Sequence, residues 1–402
     1  MDTTPQHMLS KKVTAMAESA TIKMAQKARA LKEAGHDVIS LSLGEPDFDT
    51  PKHIKEAAMQ ALKDGYTKYT PVPGLPEYAE AICKKLARDN DIHVDKSQIV
   101  VSNGAKQSIA NVCLSILDEG DEVIIFTPYW VSYFAIVEFA GGTPITLKAG
   151  IDADFKVTPQ QLEQAINHKT KAILFSSPCN PTGSVYTRDE LEALAEVIKK
   201  YENIIVISDE IYEYINFTGR HASMAAIPGM ADRTVTINGM SKGFSMTGWR
   251  LGYMAAPTWL AKACSKVQSQ FTSGAASFSQ KAGAVALLSD LSPTEEMREA
   301  FLQRRDLVIA GLKAIPGINV NHPTGAFYVF PDISHYIGKS NGDITVDDSN
   351  DFAELLLEKA HVGTVAGSAF GDDDCIRISY AASEEQLTEA IRRIAECLKE
   401  FK

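Results

Sequence analysis

This chain of 402 residues has little cysteine to work with: 6, scattered at positions 83, 113, 179, 264, 375 and 397, with no C-x-x-C pair. That argues against a disulfide framework or a zinc site and favours a reducing cytoplasm. Basic charge is also short, with 40 Lys and Arg against 51 Asp and Glu and a net charge of -11. No basic cluster stands out, so nucleic acid is not an expected partner. Met1-Asp2-Thr3-Thr4-Pro5 lacks the basic segment and apolar core of a signal peptide. No apolar run is long enough to span a bilayer, so no membrane partner is expected. There is no G-x-G-x-x-G and no G-x-x-x-x-G-K-[ST], which weakens dinucleotide and nucleoside-triphosphate readings. No metal-ligand cluster is visible, and no metal is expected.

What is present is an ordinary globular composition, 45% hydrophobic and 23% charged, long enough for two domains with substantial cores. Residues 1–18 are polar and read as a loose arm that reaches a partner subunit. Short strands are expected at 38–43, 99–102, 122–126, 172–175, 204–207, 234–237 and 251–255. Helices are expected at 22–31, 53–62, 78–89, 104–117 and 187–201, the last opened by a Thr187/Glu190 capping box. Strands alternating with helices imply an α/β fold, a mostly parallel sheet with helices on both faces. From about Ser292 the pattern changes. A long helix at 294–312, strands around 327–330 and 376–378, and a final helix at 384–398 read as a smaller α+β domain. The expected division is an arm at 1–18, a small domain of 19–50 with 292–402, and a large domain of 51–291.

The chemistry gathers at strand ends, where open parallel sheets place ligands. The densest stretch is Ser241-Lys242-Gly243-Phe244-Ser245-Met246-Thr247-Gly248-Trp249-Arg250. A lysine at the end of a buried strand is poorly solvated and can act as an amine nucleophile toward an aldehyde. An arginine nearby suits a phosphate. Aldehyde plus phosphate describes pyridoxal 5'-phosphate (PLP). The plainer alternative is a surface loop with two cations. Gly104 and Ala105 open a helix whose free N–H groups suit a phosphate. Tyr129 and Trp130 offer an aromatic face, although Trp130 would serve equally as core. Asn180 sits in a stiff Pro-Cys-Asn-Pro turn and could be a turn residue only. Asp209 directly follows an apolar run, is expected to be partly buried, and then needs a partner such as a protonated pyridine nitrogen.

These motifs together resemble the fold type I, class I/II PLP-dependent aminotransferases, and most of all the bacterial aspartate aminotransferase subgroup that includes aspartate/prephenate enzymes. The resemblance runs from about residue 15 to the end. It rests on G-E-P-D-F-D-T-P at 44–51, K-Y-T-P at 68–71, S-N-G-A-K-Q at 102–107 and P-Y-W at 128–130. It continues through S-P-C-N-P-T-G at 177–183, S-D-E-I-Y at 208–212, S-K-G-F-S-M-T-G-W-R at 241–250 and R-I-S-Y at 377–380. The resemblance implies the PLP-dependent transferase fold, with a mostly parallel seven-stranded sheet and a smaller α+β domain. It implies that Lys242 links covalently to PLP, that Asp209 pairs with the pyridine nitrogen, and that Asn180 and Tyr212 hydrogen-bond the ring oxygen. Trp130 stacks on the ring, and Gly104, Ala105, Ser241 and Arg250 hold the phosphate. Tyr69 resembles the tyrosine that reaches the phosphate of the neighbouring subunit, which implies a homodimer with shared sites. Arg377 matches the arginine that clamps the substrate α-carboxylate, beside Gly44 and Asn180. Two departures are visible: Ala366-Gly367 replaces a Pro-Gly common among relatives, and Gly239 stands where some relatives carry a serine phosphate ligand.

The implied reaction is a ping-pong transfer between amino acids and 2-oxo acids, with Lys242 moving the proton. Lys106 falls in the first turn of a helix, where a cation opposes the dipole and an anion would compensate. In the resembling subgroup a lysine here binds the distal carboxylate of an acidic substrate, with a threonine that Thr21 matches. L-aspartate with 2-oxoglutarate is the first expectation (EC 2.6.1.1). Alternatives are prephenate or an aromatic or neutral amino acid, a PLP-dependent lyase, and a non-catalytic PLP-binding regulator. The turn must aim the Asn180 amide into the site, so Asn180–Pro181 is expected to be cis.

Overall fold

In the computed structural model, residues 8–16, 18, 20–342, 344–399 and 401 are described. In chain order the strands are β1 (Ile39–Ser40), β2 (Ile99–Ser102), β3 (Glu122–Thr127), β4 (Thr143–Lys148), β5 (Thr170–Ser176) and β6 (Ile205–Asp209). They continue as β7 (Thr234–Gly239), β8 (Gly252–Ala255), β9 (Tyr328–Val329), β10 (Val362–Gly363), β11 (Val365–Ala366) and β12 (Ile376–Ser379). The α-helices are α1 (Lys11–Ala15), α2 (Ala20–Glu33), α3 (Lys52–Lys63), α4 (Pro76–Lys85), α5 (Ala105–Ile116), α6 (Ser132–Phe139) and α7 (Pro159–Ala165). Then come α8 (Arg188–Ile198), α9 (Thr258–Phe271), α10 (Ser277–Leu288), α11 (Ser292–Lys313), α12 (Ser349–Lys359) and α13 (Glu384–Leu398).

Seven strands form the central sheet in the order β2-β8-β7-β6-β5-β3-β4. β4, β3, β5, β6 and β7 pair in parallel, and only β8 runs against its neighbours. Adjacent side chains of one strand enter opposite layers, as a period of two requires. Val123 and Ile125 pack with Ile109 and Val112 of α5 and Leu260 of α9. Ile124 packs with Ile173, Leu191 of α8 and Leu162 of α7. A third layer joins Ile99 and Val101 of β2 to α3, α4 and α10 through Ile54, Tyr78 and Ala282. A separate core gathers Phe301 and Val308 of α11, Phe327, Tyr328, Phe352 of α12, Ile378 of β12 and Leu387 of α13. The antiparallel sheet β11-β12-β9 lies in this part, with β1 paired in parallel to β10.

The expected fold class, α/β with a mostly parallel seven-stranded sheet, is the one found. The Thr187 cap is present in both directions: the Glu190 amide donates to Thr187 Oγ1 at 3.3 Å, and the Thr187 amide to Glu190 Oε2 at 2.8 Å. Asn180–Pro181 is cis, as are Thr127–Pro128 and Ser177–Pro178. Three expectations need correction. The expected strand at 38–43 shrinks to Ile39–Ser40, because extended pairing with β10 covers only two residues. The N-terminal arm is not wholly loose: α1 forms at 11–15 and Lys12 donates to the Phe139 carbonyl at 3.0 Å, while residues 1–7 and 17 lie outside the described residues. β4 went unread because Thr-Pro-Ile-Thr-Leu-Lys is an edge strand, half exposed and carrying a proline, where the ladder tolerates one.

One buried ion pair ties α4 to the turn after β6. Lys85 is fully buried and pairs with Glu213, while Asn90 accepts from Lys85 at 2.7 Å and donates to Glu213 at 2.7 Å. Removing one partner of such a pair leaves a buried charge uncompensated, at a cost of about 3–5 kcal/mol. Glu213→Leu should therefore lower the unfolding free energy of the cofactor-free protein by that amount, read as a lower urea midpoint with little change in m-value. A loss below about 1 kcal/mol would mean that Asn90 alone satisfies the ammonium.

Candidate active site

The C-terminal ends of β2, β5, β6 and β7, with the turn after β3, open into one cavity of about 370 Å³. Thr21, Gly44, Ala105, Lys106, Trp130 and Asn180 line it, and so do Asp209, Tyr212, Ser241, Lys242, Arg250 and Arg377. Twelve positions far apart in sequence thus meet at one place. Gly104 lies just behind the lining, and Tyr69 lies outside it, 98% exposed.

Lys242 follows β7 by three residues. Its amine donates to the Gly44 carbonyl and sits 5.7 Å from the Tyr212 ring and 5.8 Å from the Phe327 ring. Burial, reinforced by the Arg377 charge, lowers its pKa to about 8. The loop that carries it is held from below. A side chain on Gly243 would collide with the Tyr214 ring, and that ring has the Lys85 ammonium 5.3 Å away and donates its hydroxyl to Asp89 at 2.7 Å. From the other side, Thr50 Oγ1 donates to the Ser245 carbonyl at 2.5 Å and Trp249 Nε1 donates to Thr50 at 3.1 Å. The Gly44–Thr50 segment therefore straps the lysine loop.

Asp209 ends β6 and is 4% exposed. Burial raises its pKa to about 6, opposed by a 2.6 Å hydrogen bond from the Tyr133 hydroxyl and a 3.2 Å bond from the Ile211 amide. Tyr133 sits on α6 and was missed in the sequence.

Arg377 lies on β12 and is 1% exposed. Nη1 donates to Asn180 Oδ1 at 3.0 Å and Nη2 to the Ser42 carbonyl at 2.6 Å. A guanidinium only donates, so Asn180 must turn its oxygen toward Arg377, and its amide NH₂ is then the end left for the cavity. The guanidinium lies 4.6 Å from the Tyr328 ring centre and 4.9 Å from that of Phe370. Its Nε is buried without a hydrogen-bond partner. A charged side chain that lines a cavity and keeps an unpartnered donor is an arrangement that a carboxylate suits.

The opposite wall is built to receive an oxyanion. Gly104 is the N-cap of α5 with φ 83°, and a Cβ there would strike the Arg250 guanidinium. Arg250 itself has φ 51° and donates to the Thr247 carbonyl at 2.9 Å. Amides of the first α5 turn, the Ser241 hydroxyl and the Arg250 fork thus converge on one side of the cavity. Gly239 has no room for a side chain, because a Cβ would lie 2.9 Å from Gly252 Cα in the paired β8.

At the mouth, Lys106 is exposed. Its ammonium lies 4.8 Å from the Trp130 ring, and desolvation there, then the Arg250 charge, lowers its pKa. No carboxylate of the described residues forms an ion pair with it. Thr21, Ile22, Leu43 and Glu45 complete the rim, and Glu45 accepts from Thr247 Oγ1. Besides Tyr133, the sequence reading did not identify Tyr328 or Glu45, whose positions depend on long-range packing.

The family model described as Aminotransferase class I and II matches residues 36–394. The chain is 47% identical over 389 residues to the aspartate/prephenate aminotransferase of Cereibacter sphaeroides, covering 96% of this chain and 97% of that protein. It is 46% identical over 388 residues to the aspartate aminotransferase of Geobacillus stearothermophilus, covering 96% and 98%. Among solved structures it resembles the aspartate aminotransferase from Rhizobium meliloti, with a TM-score of 0.95 and 42% identity over 98% of this chain and 99% of that one. It also resembles the Thermus thermophilus aspartate aminotransferase with maleate, with a TM-score of 0.91 and 42% identity over 97% and 99%.

An amine attacks an aldehyde only when unprotonated, and the lowered pKa makes that form abundant from about pH 8 upward. The rate at which cofactor-free protein captures PLP, followed by stopped-flow absorbance, should rise with pH, pass its half-maximum near 8 and level off above that. A rate still climbing toward pH 10.5, the ordinary lysine value, would show that the buried amine is not the nucleophile.

Proposed function

The chain belongs to the aminotransferases of class I and II, and on that footing we propose that it transfers the amino group of L-aspartate to 2-oxoglutarate, giving oxaloacetate and L-glutamate. The family is PLP-dependent, and the cavity fits that group. The cradle around Gly104 and Arg250, the buried Asp209 carboxylate and the low-pKa Lys242 amine suit a phosphate, a pyridine nitrogen and an aldehyde respectively. Ala105, Ser241, Asn180, Tyr212 and Trp130 would complete its contacts. When bound, PLP supplies an aldehyde for the amino group and a ring that draws electrons from the substrate's Cα.

The rest is the work of this chain's residues. Asp209, held by Tyr133, keeps a proton at the ring nitrogen. Arg377 takes the α-carboxylate at the cavity wall, with Asn180 and Gly44 beside it. That fixes how the Cα bonds stand. The Lys242 amine, once displaced, lies within the same cavity and moves a proton from Cα as general base. The observation that carries the reading is this meeting of an orphaned arginine, a buried carboxylate and an activated lysine in one cavity.

Lys106, with Thr21 at the rim, selects the second carboxylate of aspartate. Its ammonium faces Trp130 and lacks an anionic partner among the described residues. A relative solved with maleate, a four-carbon dicarboxylate, is consistent with that role. Prephenate is the second reading, favoured by the exposed apolar Ile22 and Leu43 at the mouth, which could face a ring. Residues 51–291 would form the cofactor-binding domain, and 19–50 with 292–402 the smaller one. A cytoplasmic setting fits the free cysteines. We also infer a homodimer. Tyr69, Phe271, Met59 and Leu62 are exposed apolar side chains, and a second copy would cover them and bring Tyr69 to the partner's phosphate site.

The test is the visible spectrum of the PLP-loaded protein, taken before and after aspartate alone. Bleaching that reverses with 2-oxoglutarate is expected; release of ammonia or pyruvate instead would mean a lyase. Lys106→Ala should lower kcat/KM for aspartate about 100-fold, about 2.7 kcal/mol, and leave phenylalanine nearly untouched. Equal losses for both substrates would remove Lys106 from side-chain selection. Tyr69→Phe should weaken PLP binding about 10-fold by equilibrium titration, and light scattering should give twice 43.7 kDa. A monomer that binds PLP at full strength would exclude the shared site.

A further inference from the structure

Tyr328 occupies a position that the proposed reaction leaves without a part. It is fully buried, lies on β9, and lines the cavity. Its hydroxyl shares a 2.7 Å hydrogen bond with the Tyr212 hydroxyl, the single side-chain partner of each among the described residues. Its ring lies 4.6 Å from the Arg377 guanidinium. One side chain therefore touches both the phenol beside the cofactor site and the cation beside the carboxylate site.

Its place is fixed from two directions. Ser379 of β12 is its register partner, two residues beyond Arg377. The Ala326 amide donates to the Ile215 carbonyl at 2.7 Å, which ties the same segment to the turn that carries Tyr212. Gly44 closes the remaining side, since any Cβ there would collide with the Tyr328 hydroxyl. The phenol has no alternative position short of moving both strands.

We propose that Tyr328 is a positioning residue for amino-group transfer: its hydroxyl orients the Tyr212 phenol, and its ring holds the Arg377 guanidinium edge-on to the cavity. The proposal rests on the PLP reading above. When Tyr212 donates its proton into the cavity, its oxygen must accept from elsewhere, and Tyr328 is the hydroxyl in reach. A donor that is itself a hydrogen-bond acceptor is strengthened, because the chain of bonds polarises. The hydroxyl meets Tyr212 and the ring meets Arg377, so the two tasks of Tyr328 are chemically separable. The charged and titratable groups facing Tyr212 are Tyr328, Arg377, Asp209 and Lys242. Arg377, Asp209 and Lys242 all remain when only the Tyr328 oxygen is removed.

The experiment is a pH titration of the visible absorbance of the PLP-loaded protein without substrate, combined with steady-state kinetics on aspartate, for wild type, Tyr328→Phe, Tyr328→Leu and Tyr212→Phe. Tyr328→Phe keeps the ring and loses one hydrogen bond. The absorbance pKa should rise by about one unit, in the direction of Tyr212→Phe and by less. Its KM should stay within about twofold and its kcat should fall several-fold. Tyr328→Leu also loses the ring and should raise KM at least about 10-fold. A titration of Tyr328→Phe that superimposes on wild type while Tyr212→Phe shifts would overturn the proposal. So would a KM rise in Tyr328→Phe equal to that of Tyr328→Leu. The conservative variant carries the test alone where the leucine variant does not fold. A wild-type protein with no pH-dependent PLP absorbance would instead sink the cofactor reading.

Discussion

A guanidinium cannot be buried without partners, and Arg377 is 1% exposed. Much of the site's architecture follows from satisfying it. Its strand, β12, must bring Nη1 to Asn180 on the turn after β5, and Nη2 to the carbonyl of Ser42 in the segment after β1. The rings of Tyr328 and Phe370 lie close against it, at 4.6 and 4.9 Å. One cation thereby joins three distant stretches of chain across the junction between the seven-stranded sheet and the part built on β9, β11 and β12. What it does not receive is a partner for Nε. Two of its donors serve cohesion, and the side chain still lines the cavity with a donor unpaired.

The parallel sheet supplies the other half of the arrangement. Strands in parallel end at the same edge, so residues following β2, β5, β6 and β7 are neighbours despite separations of tens of residues. Lysine and aspartate in such a place have opposite problems. Burial lowers Lys242 to about 8 and raises Asp209 to about 6, each toward its neutral form. The tyrosine bond at Asp209 works against that drift and favours the carboxylate, whereas the Arg377 charge works with it at Lys242. The result is an amine ready to act as nucleophile beside a carboxylate kept able to hold a cation.

The sequence was most legible where function is carried by short contiguous motifs. The S-K-G-F-S-M-T-G-W-R stretch, the Pro-Cys-Asn-Pro turn and Asp209 after its apolar strand could each be read locally, and the structure gathers them. Tyr133 and Tyr328 could not be read so easily. Nothing local marks a tyrosine as a hydrogen-bond partner of Asp209 76 residues away or of Tyr212 116 residues away. β4 was hidden for a different reason, because an edge strand with Pro144 lacks the unbroken apolar run of its buried neighbours. Lys85 would pass as an ordinary helical lysine, and only the turn after β6 makes it a buried ion-pair partner of Glu213.

Charge at the cavity finally limits what can enter. Its lining carries Lys106, Lys242, Arg250 and Arg377 against Glu45 and Asp209. A phosphate would answer Arg250, and an α-carboxylate would answer Arg377. Lys106 would still be unanswered, in the first turn of α5, where the helix dipole opposes it. A neutral side chain leaves that cation as it is, while a second carboxylate compensates it. Glu45, held by Thr247 on the rim, adds a negative charge that a misplaced carboxylate would have to pass. An occupant with two carboxylates therefore sets one beside Arg377 and the other beside Lys106, so that each of these cations has an anion next to it.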